Sequence, residues 1–192
     1  MAEEPEFYPP ISNAMLVAKK LVGDVFSTEG NRNTVYWRGQ WWRFNGTHWE
    51  QEENELEIKR PIWTRLGEVM LSKPKGEEPW SPTTASVSNL MEPLKIALML
   101  KDKKDAPFWI EQNHTMNPHD LIVLRNGVLD FRTGNFIQGN HMELFNTWSL
   151  PFSYDATATC PTFEKFLDDT FAHDPAGRAA IQIGRASCRE RV

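Results

Sequence analysis

The sequence predicts an α+β fold in which a Trp-rich antiparallel β meander and a second β hairpin pack with four or five helices. Residues 34–51 (TVYWRGQWWRFNGTHWEQ) hold four of the eight Trp, in strand-like runs separated by two-residue turn signals. Apolar residues recur at helical spacing on both sides of this stretch. A second Asn-Gly, at 126–127, separates two further apolar runs.

The meander follows from its two turn signals. Asn45-Gly46 is a strong hairpin signal, because a type I′ turn needs positive φ at both central residues, and Arg38-Gly39 is a weaker version of it. With two-residue loops, Trp41 faces Tyr36 across the first turn, and Trp42 faces Trp49 across the second. The period of two then predicts a core face and a mixed face. The predicted core face holds Val35, Trp37, Trp42, Phe44 and Trp49, and the mixed face holds Tyr36, Trp41, Arg43, His48 and Glu50.

Helices are predicted wherever apolar residues recur every three or four positions behind a capping residue or a proline. The predicted helices are Ala14 to about Phe26 behind Asn13, Glu55 to Leu71 with Pro61 inside, a third opened by Ser81 and Pro82 with Pro93 inside, a fourth opened by Thr159-Cys160-Pro161, and a fifth starting at Asp174-Pro175.

The second hairpin is predicted from Leu121–Leu124 and Val128–Phe131 on either side of Arg125-Asn126-Gly127. A further turn leads into Phe136 and Ile137. Residues 148–154 are predicted to form a short apolar strand.

One domain is expected between two atypical ends. Residues 1–11 are predicted to be a disordered or extended lead, and residues 12–182 to form a single domain. The last ten residues, 183–192 (IGRASCRERV), resemble a translated adapter from short-read DNA sequencing. We therefore expect them to be non-native, and the natural chain to continue past Gln182.

The charge balance limits the function classes. The net charge is −5, and it is more negative without the last ten residues, which hold three Arg and one Glu. An acidic chain argues against a stand-alone, non-specific DNA-binding protein. Cys160 is the one credible cysteine, and no apolar run of about 18 residues indicates a membrane span. We therefore expect a cytoplasmic protein without membrane contact.

The mixed face of the meander allows a nucleic-acid interpretation, because aromatic rings can stack on bases while arginines contact phosphates. The candidate binding residues are Arg32, Arg38, Trp41, Arg43 and Arg125. A structural interpretation competes with it, since cross-strand aromatic pairs stabilise a meander without any ligand.

Other chemistry is weakly indicated. No Gly-x-x-x-x-Gly-Lys-Ser/Thr pattern occurs, so the chain carries no phosphate-binding loop of that kind. His114, His119 and Asp120 share a loop, but their spacing without cysteine partners is a poor metal signal. Cys160 precedes a helix without an identifiable base. We predict no catalytic residue, no metal and no cofactor in this segment.

Three stretches together resemble the segment that precedes the helicase in phage and plasmid primase-helicases. They are YWRGQWWRFNGTHWE, LRNGVLDFRTGNF and WSLPFSYDATATCPTFEKFLDDTF. In that family, similar to the N-terminal-like domain of the poxvirus primase-helicase, a Trp-rich hairpin is followed by an Asn-Gly-hydrophobic-Leu-Asp turn, a Pro-hydrophobic-x-Tyr-Asp run and Cys-Pro-x-Phe. The corresponding segments here are Trp37–Trp49, Asn126–Asp130, Pro151–Asp155 and Cys160–Phe163.

The resemblance implies a connector that positions DNA ahead of an ATP-dependent superfamily 3 helicase in phage or plasmid replication. It implies single-stranded or forked DNA as a partner, covalently linked primase and helicase domains, and a homo-oligomeric ring of the parent in a bacterial or archaeal host. ATP and Mg²⁺ would belong to the helicase.

A rival hypothesis is a stand-alone Trp-rich binding module. In that interpretation, exposed Trp41 and Trp80 would stack on sugar rings, or the domain would bind a protein.

Overall fold

The computed structural model describes residues 6–179, except 74, 75, 102, 112, 113 and 140. The chain divides into two compact units, 1–154 and 155–192. In the second unit, α4 (below) is followed by a helical segment at 175–179. The described elements are, in chain order, β1 (Phe7–Tyr8), a 3-10 turn (Ile11–Asn13), α1 (Ala14–Asp24), β2 (Ser27–Thr28), β3 (Asn31–Arg32), β4 (Thr34–Trp37), β5 (Gln40–Phe44), β6 (Trp49–Glu52), α2 (Glu55–Glu68), β7 (Met70–Lys73), β8 (Gly76–Pro79), α3 (Thr84–Leu98), β9 (Phe108–Trp109), a second 3-10 turn (Pro118–Asp120), β10 (Leu121–Leu124), β11 (Gly127–Asp130), β12 (Phe136–Gln138), β13 (Leu144–Phe145) and α4 (Pro161–Thr170).

The predicted α+β class and the Trp-rich meander are confirmed. Strands β4, β5 and β6 form an antiparallel three-stranded sheet. Across the first turn the predicted register is correct, with Tyr36 opposite Trp41 and Val35 opposite Trp42. Across the second turn it is wrong by two residues, because Trp49 lies opposite Phe44 and not opposite Trp42.

The loop after β5 explains this difference. It contains four residues, 45–48, and the Asn45 side chain organises it. Asn45 Oδ1 accepts hydrogen bonds from the backbone N–H groups of Thr47 (2.9 Å) and His48 (3.0 Å), as asparagine commonly does in turns. Because a shift of two residues keeps the alternation of a strand, the predicted core face survives the register error.

The second face of the meander is buried around Trp41, which the sequence did not indicate, while Arg43 and Glu50 on the same face are exposed. Val35, Trp37 and Trp49 pack with Leu100, Phe108 and Phe145 on one face. On the other face, Trp41 belongs to the main core, together with apolar residues of α1, α2 and α3. The expectation of an exposed, mixed second face is therefore wrong for Trp41, whose exposed fraction is 5%.

The second hairpin is confirmed and extended by a third strand. Leu124 pairs with Gly127 across the turn, and β12 pairs with β11. Gly127 has φ +159° and lies so close to β12 that a Cβ there would be 2.2 Å from Ile137 O. Glycine is therefore required at this position by a close backbone approach.

The described residues of the amino-terminal lead include the short strand β1. Strand β1 pairs in parallel with β7, which pairs with β8. Tyr8 is completely buried in the main core. Tyr8 bonds to Asp24 and Glu6 bonds to Lys20, which fixes this segment against α1. The ion pair of Glu6 with Arg65 fixes it against α2.

The predicted helices form, with shifted ends. Helix α2 begins at Glu55 and continues through Pro61, while α3 continues through Pro93. The cap predicted at Ser81 is wrong, because Thr83 and Ser86 form a reciprocal capping box two residues later. Residues 148–154 form no strand, although they run beside β10.

Some expectations fall on residues that the structure does not describe. They are the first five residues, the end of the fifth helix and the adapter-like segment 183–192. Within the described part of the chain, no helix is long and apolar enough to cross a membrane.

Candidate nucleic-acid interface

A cleft of about 370 Å³ lies between the β2–β3 turn and the segments around β9 and β13. Three cations line it: Arg32, Lys101 and Lys104. Its apolar lining includes Phe108 and Trp109. Both rings are nearly buried, with exposed fractions of 6% and 8%, so the cleft offers cations for a phosphate backbone but no exposed ring for stacking on bases.

Short elements place these cations. Arg32 is the last residue of β3 and pairs with Ser27 of β2. Lys101 follows α3, where the Leu100 backbone N–H donates to Tyr36 O (2.9 Å) and so fixes the loop against the meander. Lys104 Nζ lies 5.6 Å from the centre of the Phe108 ring, which keeps its ammonium group over the cleft lining.

Two carboxylates, those of Glu111 and Glu143, also line the cleft. Glu143 is paired with His114, at 2.6 Å between Oε2 and Nε2, and the His114 ring stacks on Trp109 at 3.8 Å. A phosphate in this cleft would therefore be drawn to Arg32, Lys101 and Lys104 and repelled by Glu111 and Glu143.

Arg38 lies next to the cleft but is engaged within the protein. Its guanidinium stacks over Trp37, 4.4 Å from the ring centre, and pairs with Asp105 at 2.5 Å. It also donates to the main-chain oxygen of Lys104, at 3.5 Å. Arg38 thus joins the first meander turn to the loop that carries Lys104.

Arg43 is separate from the cleft. It is on β5, and its Nη1 is 3.7 Å from Glu52 Oε2. It faces a surface groove of mixed charge in which Asp24, Arg60 and Glu68 also lie. A groove with both signs of charge offers little attraction to a polyanion.

Trp41, the one aromatic candidate predicted from the sequence, is inside the main core, and its ring is 5.0 Å from that of Tyr36. Trp80 is buried in the same core and donates from Nε1 to Pro9 O at 3.4 Å. Neither ring is available for stacking on a ligand in this conformation.

Arg125 is exposed at the turn between β10 and β11. Its backbone N–H donates to Phe152 O at 3.1 Å, which brings it beside a segment with two exposed aromatic rings. Exposed fractions are 49% for Trp148 and 56% for Phe152. The structure therefore places Arg32 in the cleft and Arg38 against the loop that carries Lys104, and leaves Arg43 and Arg125 elsewhere.

Sequence reasoning missed Lys101 and Lys104. The run Lys-Asp-Lys-Lys-Asp at 101–105, directly after an apolar helix, was the available signal. From the sequence alone, this run cannot be distinguished from an ordinary charged surface loop. The contacts of Leu100 with Tyr36 and of Arg38 with Asp105 show that it borders the meander.

The loop with His114, His119 and Asp120 has internal partners. Asp120 accepts a bidentate interaction from Arg132, with Nε–Oδ2 at 2.9 Å and Nη2–Oδ1 at 3.2 Å, which raises the pKa of the Arg132 guanidinium. Nowhere in the described ranges do three or more His, Cys, Asp or Glu side chains gather as a metal site would require. Cys160 is exposed at the start of α4.

Comparison with known proteins places the chain in a family. The family model described as "D5 N terminal like" matches residues 31–172, which is well over half of the chain. The chain belongs to this family, and its context is the phage and plasmid primase-helicases of DNA replication, as the sequence motifs predicted. Comparison with curated proteins gave no match.

Proposed function

We propose that this domain is the connector and DNA-positioning element ahead of a superfamily 3 helicase in a phage or plasmid replication protein. Two findings support the proposal. The first is membership of the D5 N-terminal-like family. The second is the cleft, which Arg32, Lys101 and Lys104 line.

The cleft suits a passing strand better than an enclosed small ligand. Arg32, Lys101 and Lys104 would hold the phosphates of the strand, while Glu111 and Glu143 in the same cleft would repel them. The cations would therefore set where the backbone lies. An overall acidic chain with one local basic side would bind DNA weakly by itself and hold it in a defined position within a larger assembly.

The rest of the proposal concerns the parent protein. Its helicase would hydrolyse ATP with Mg²⁺, its primase would be covalently linked, and its subunits would assemble into a homo-oligomeric ring. It would act in the cytoplasm of a bacterial or archaeal host cell. The rival sugar-binding hypothesis loses its two stacking residues, since Trp41 and Trp80 are both buried.

The test is the salt dependence of binding to a fluorescein-labelled oligo(dT) of about 20 nucleotides, longer than the about 4–16 nucleotides that one small DNA-binding fold covers. Each lost phosphate contact should reduce the slope of log K against log salt by about 0.7. The double variant Arg32→Gln/Lys104→Gln should therefore show a slope lower by about 1.4 than the wild type.

The control is Lys59→Gln/Arg60→Gln, which removes the same charge from α2, outside the cleft. It should leave the slope nearly unchanged. Equal slopes for the cleft variant and the wild type would show that the cleft does not contact DNA. Equal losses in both double variants would indicate a general charge effect instead of a site.

A further inference from the structure

Residues 146–154 form a strap between the meander and the second hairpin, fixed at both ends. At one end, Asn146 O accepts from the Trp49 backbone N–H (2.8 Å). At the other end, Asn126 holds the main chain of Tyr154 through both its side-chain oxygen (2.8 Å) and its side-chain nitrogen (2.9 Å).

The middle of the strap is fixed as well. Leu150 N–H donates to Val123 O (2.9 Å), and Phe152 O accepts from Arg125 N–H (3.1 Å). The Ser149 hydroxyl lies 3.0 Å from His48 Nδ1. Main-chain and side-chain bonds thus hold this segment although it is no strand.

Two aromatic side chains of this fixed segment are nevertheless turned to solvent, Trp148 and Phe152. Single exposed apolar residues are ordinary, but two on one short held segment form a patch. Four residues of extended chain span at most about 14 Å, so one bound strand could reach both rings. Their backbone is already ordered, which lowers the entropy cost of binding.

The charge of the patch selects the ligand. No charged residue occurs from 146 to 154, and Arg125, next to Phe152, makes no side-chain hydrogen bond or ion pair with a described residue. The two exposed rings can stack on flat aromatic faces, and Arg125 can contact a negative charge. Since the strap holds no carboxylate, the patch fits a polyanion that carries aromatic rings. Sugar rings would not need the cation, and an apolar protein surface would not favour it.

We propose that Trp148, Phe152 and Arg125 form a second nucleic-acid contact, a stacking platform for single-stranded DNA distinct from the cleft. The inference rests on the proposed function in taking DNA as the ligand. Bases stack on the two rings, and the Arg125 guanidinium contacts a phosphate between them. Such platforms tolerate any base, because every base has a π face.

The experiment measures anisotropy of the same labelled oligo(dT) with the full chain and its variants. Loss of one stacking ring should weaken binding about 5- to 150-fold, so Trp148→Ala and Phe152→Ala should each fall in that range. Arg125→Gln should lower the salt slope by about 0.7. The matched control is Trp63→Ala, a partly exposed Trp on α2 beside Arg60, which should bind like the wild type.

The outcomes separate the two proposals. If the variants of Trp148, Phe152 and Arg125 bind more weakly while the cleft double variant binds like the wild type, the platform is supported and DNA contact by the cleft is contradicted. Weaker binding by the cleft variant alone overturns the platform, as does an equal effect of Trp63→Ala. Absence of binding by the wild type at low salt overturns both. Near-ultraviolet circular dichroism confirms that each variant is folded, which is expected because the changed side chains are exposed.

Discussion

Asn126 holds the main chain of Tyr154 at two points: its Nδ2 donates to Tyr154 O at 2.9 Å, and its Oδ1 accepts from Tyr154 N–H at 2.8 Å. The two residues are 28 positions apart in sequence. Their contact joins the turn of the second hairpin to the end of the strap, next to the stacked rings of Phe136 and Tyr154.

Replacing this amide by a carboxylate should destabilise the domain. Asn126→Asp keeps the acceptor for Tyr154 N–H but places a negative oxygen against Tyr154 O, so we expect a loss of about 1–3 kcal/mol in the free energy of unfolding. Urea denaturation measures it. Asn135→Asp, at an exposed turn residue, is the control and should change stability by less than about 0.5 kcal/mol. Equal effects of the two variants would contradict a specific clamp.

Tyr8 provides a second test, because its phenol is buried and hydrogen-bonded to Asp24 Oδ2 at 2.5 Å. Burial and the Asp24 carboxylate raise the pKa of Tyr8 well above its ordinary value. Tyr8→Phe leaves the Asp24 carboxylate without this donor and should cost about 1–3 kcal/mol of unfolding free energy. Tyr154→Phe, whose hydroxyl bonds no described residue, should cost much less.

Glu6 should make stability depend on pH. Its carboxylate accepts from Lys20 Nζ at 2.7 Å and also pairs with Arg65. The Lys20 hydrogen bond, followed by the Arg65 charge, lowers the pKa of Glu6 from its ordinary 4.5, against the opposing effect of desolvation. Because the folded-state pKa is depressed, the contribution is present above pH 4.5 and is lost as the pH falls through the folded-state value.

Unfolding in urea at pH 7, 5, 4 and 3 measures this contribution. The wild type should lose more stability between pH 5 and pH 3 than Glu6→Gln does. Glu53→Gln, at an exposed carboxylate without an ion pair to a described residue, should follow the wild-type curve. If Glu6→Gln follows it too, the pairing with Lys20 contributes nothing to folding.

Gly127 tests the close approach of β11 to β12. A methyl group there would meet Ile137 O at 2.2 Å, which only a backbone shift can relieve, so Gly127→Ala should destabilise the domain by about 1–3 kcal/mol. Gly67→Ala is the matched comparison, because α2 leaves open space there. That change should be neutral or stabilise by about 0.5–1 kcal/mol. Thermal unfolding of both variants gives the comparison.

The successes and failures of sequence reasoning have physical causes. The pairing of Val35 with Trp42 was predictable, because a tight turn fixes register locally. The four-residue loop was not, since it depends on the side-chain bonds of Asn45. Because the register differs by two residues, each side chain stays on its predicted face, and the core face is unchanged. The burial of Trp41 depends on helices packed against the second face, which no local pattern encodes.

The candidate site was harder to predict than the fold. Arg32 lines the cleft, but the other cations there, Lys101 and Lys104, come from a loop about 70 positions later. Arg125 was a candidate binding residue in the sequence, where it lies at the predicted turn of the second hairpin. Its position beside Phe152 depends on residues 148–154 running along β10, where a strand was expected and a hydrogen-bonded strap was found.

The most direct measurement is photo-crosslinking of the full chain to single-stranded DNA that contains bromodeoxyuridine, followed by mapping of the crosslinked peptides by mass spectrometry. DNA that follows the cleft rim and the strap should crosslink to peptides that contain Arg32, Lys101–Lys104 or Trp148–Phe152. Crosslinks confined to α2 around Trp63, or none under conditions in which a known single-strand-binding protein reacts, would contradict DNA positioning by this domain.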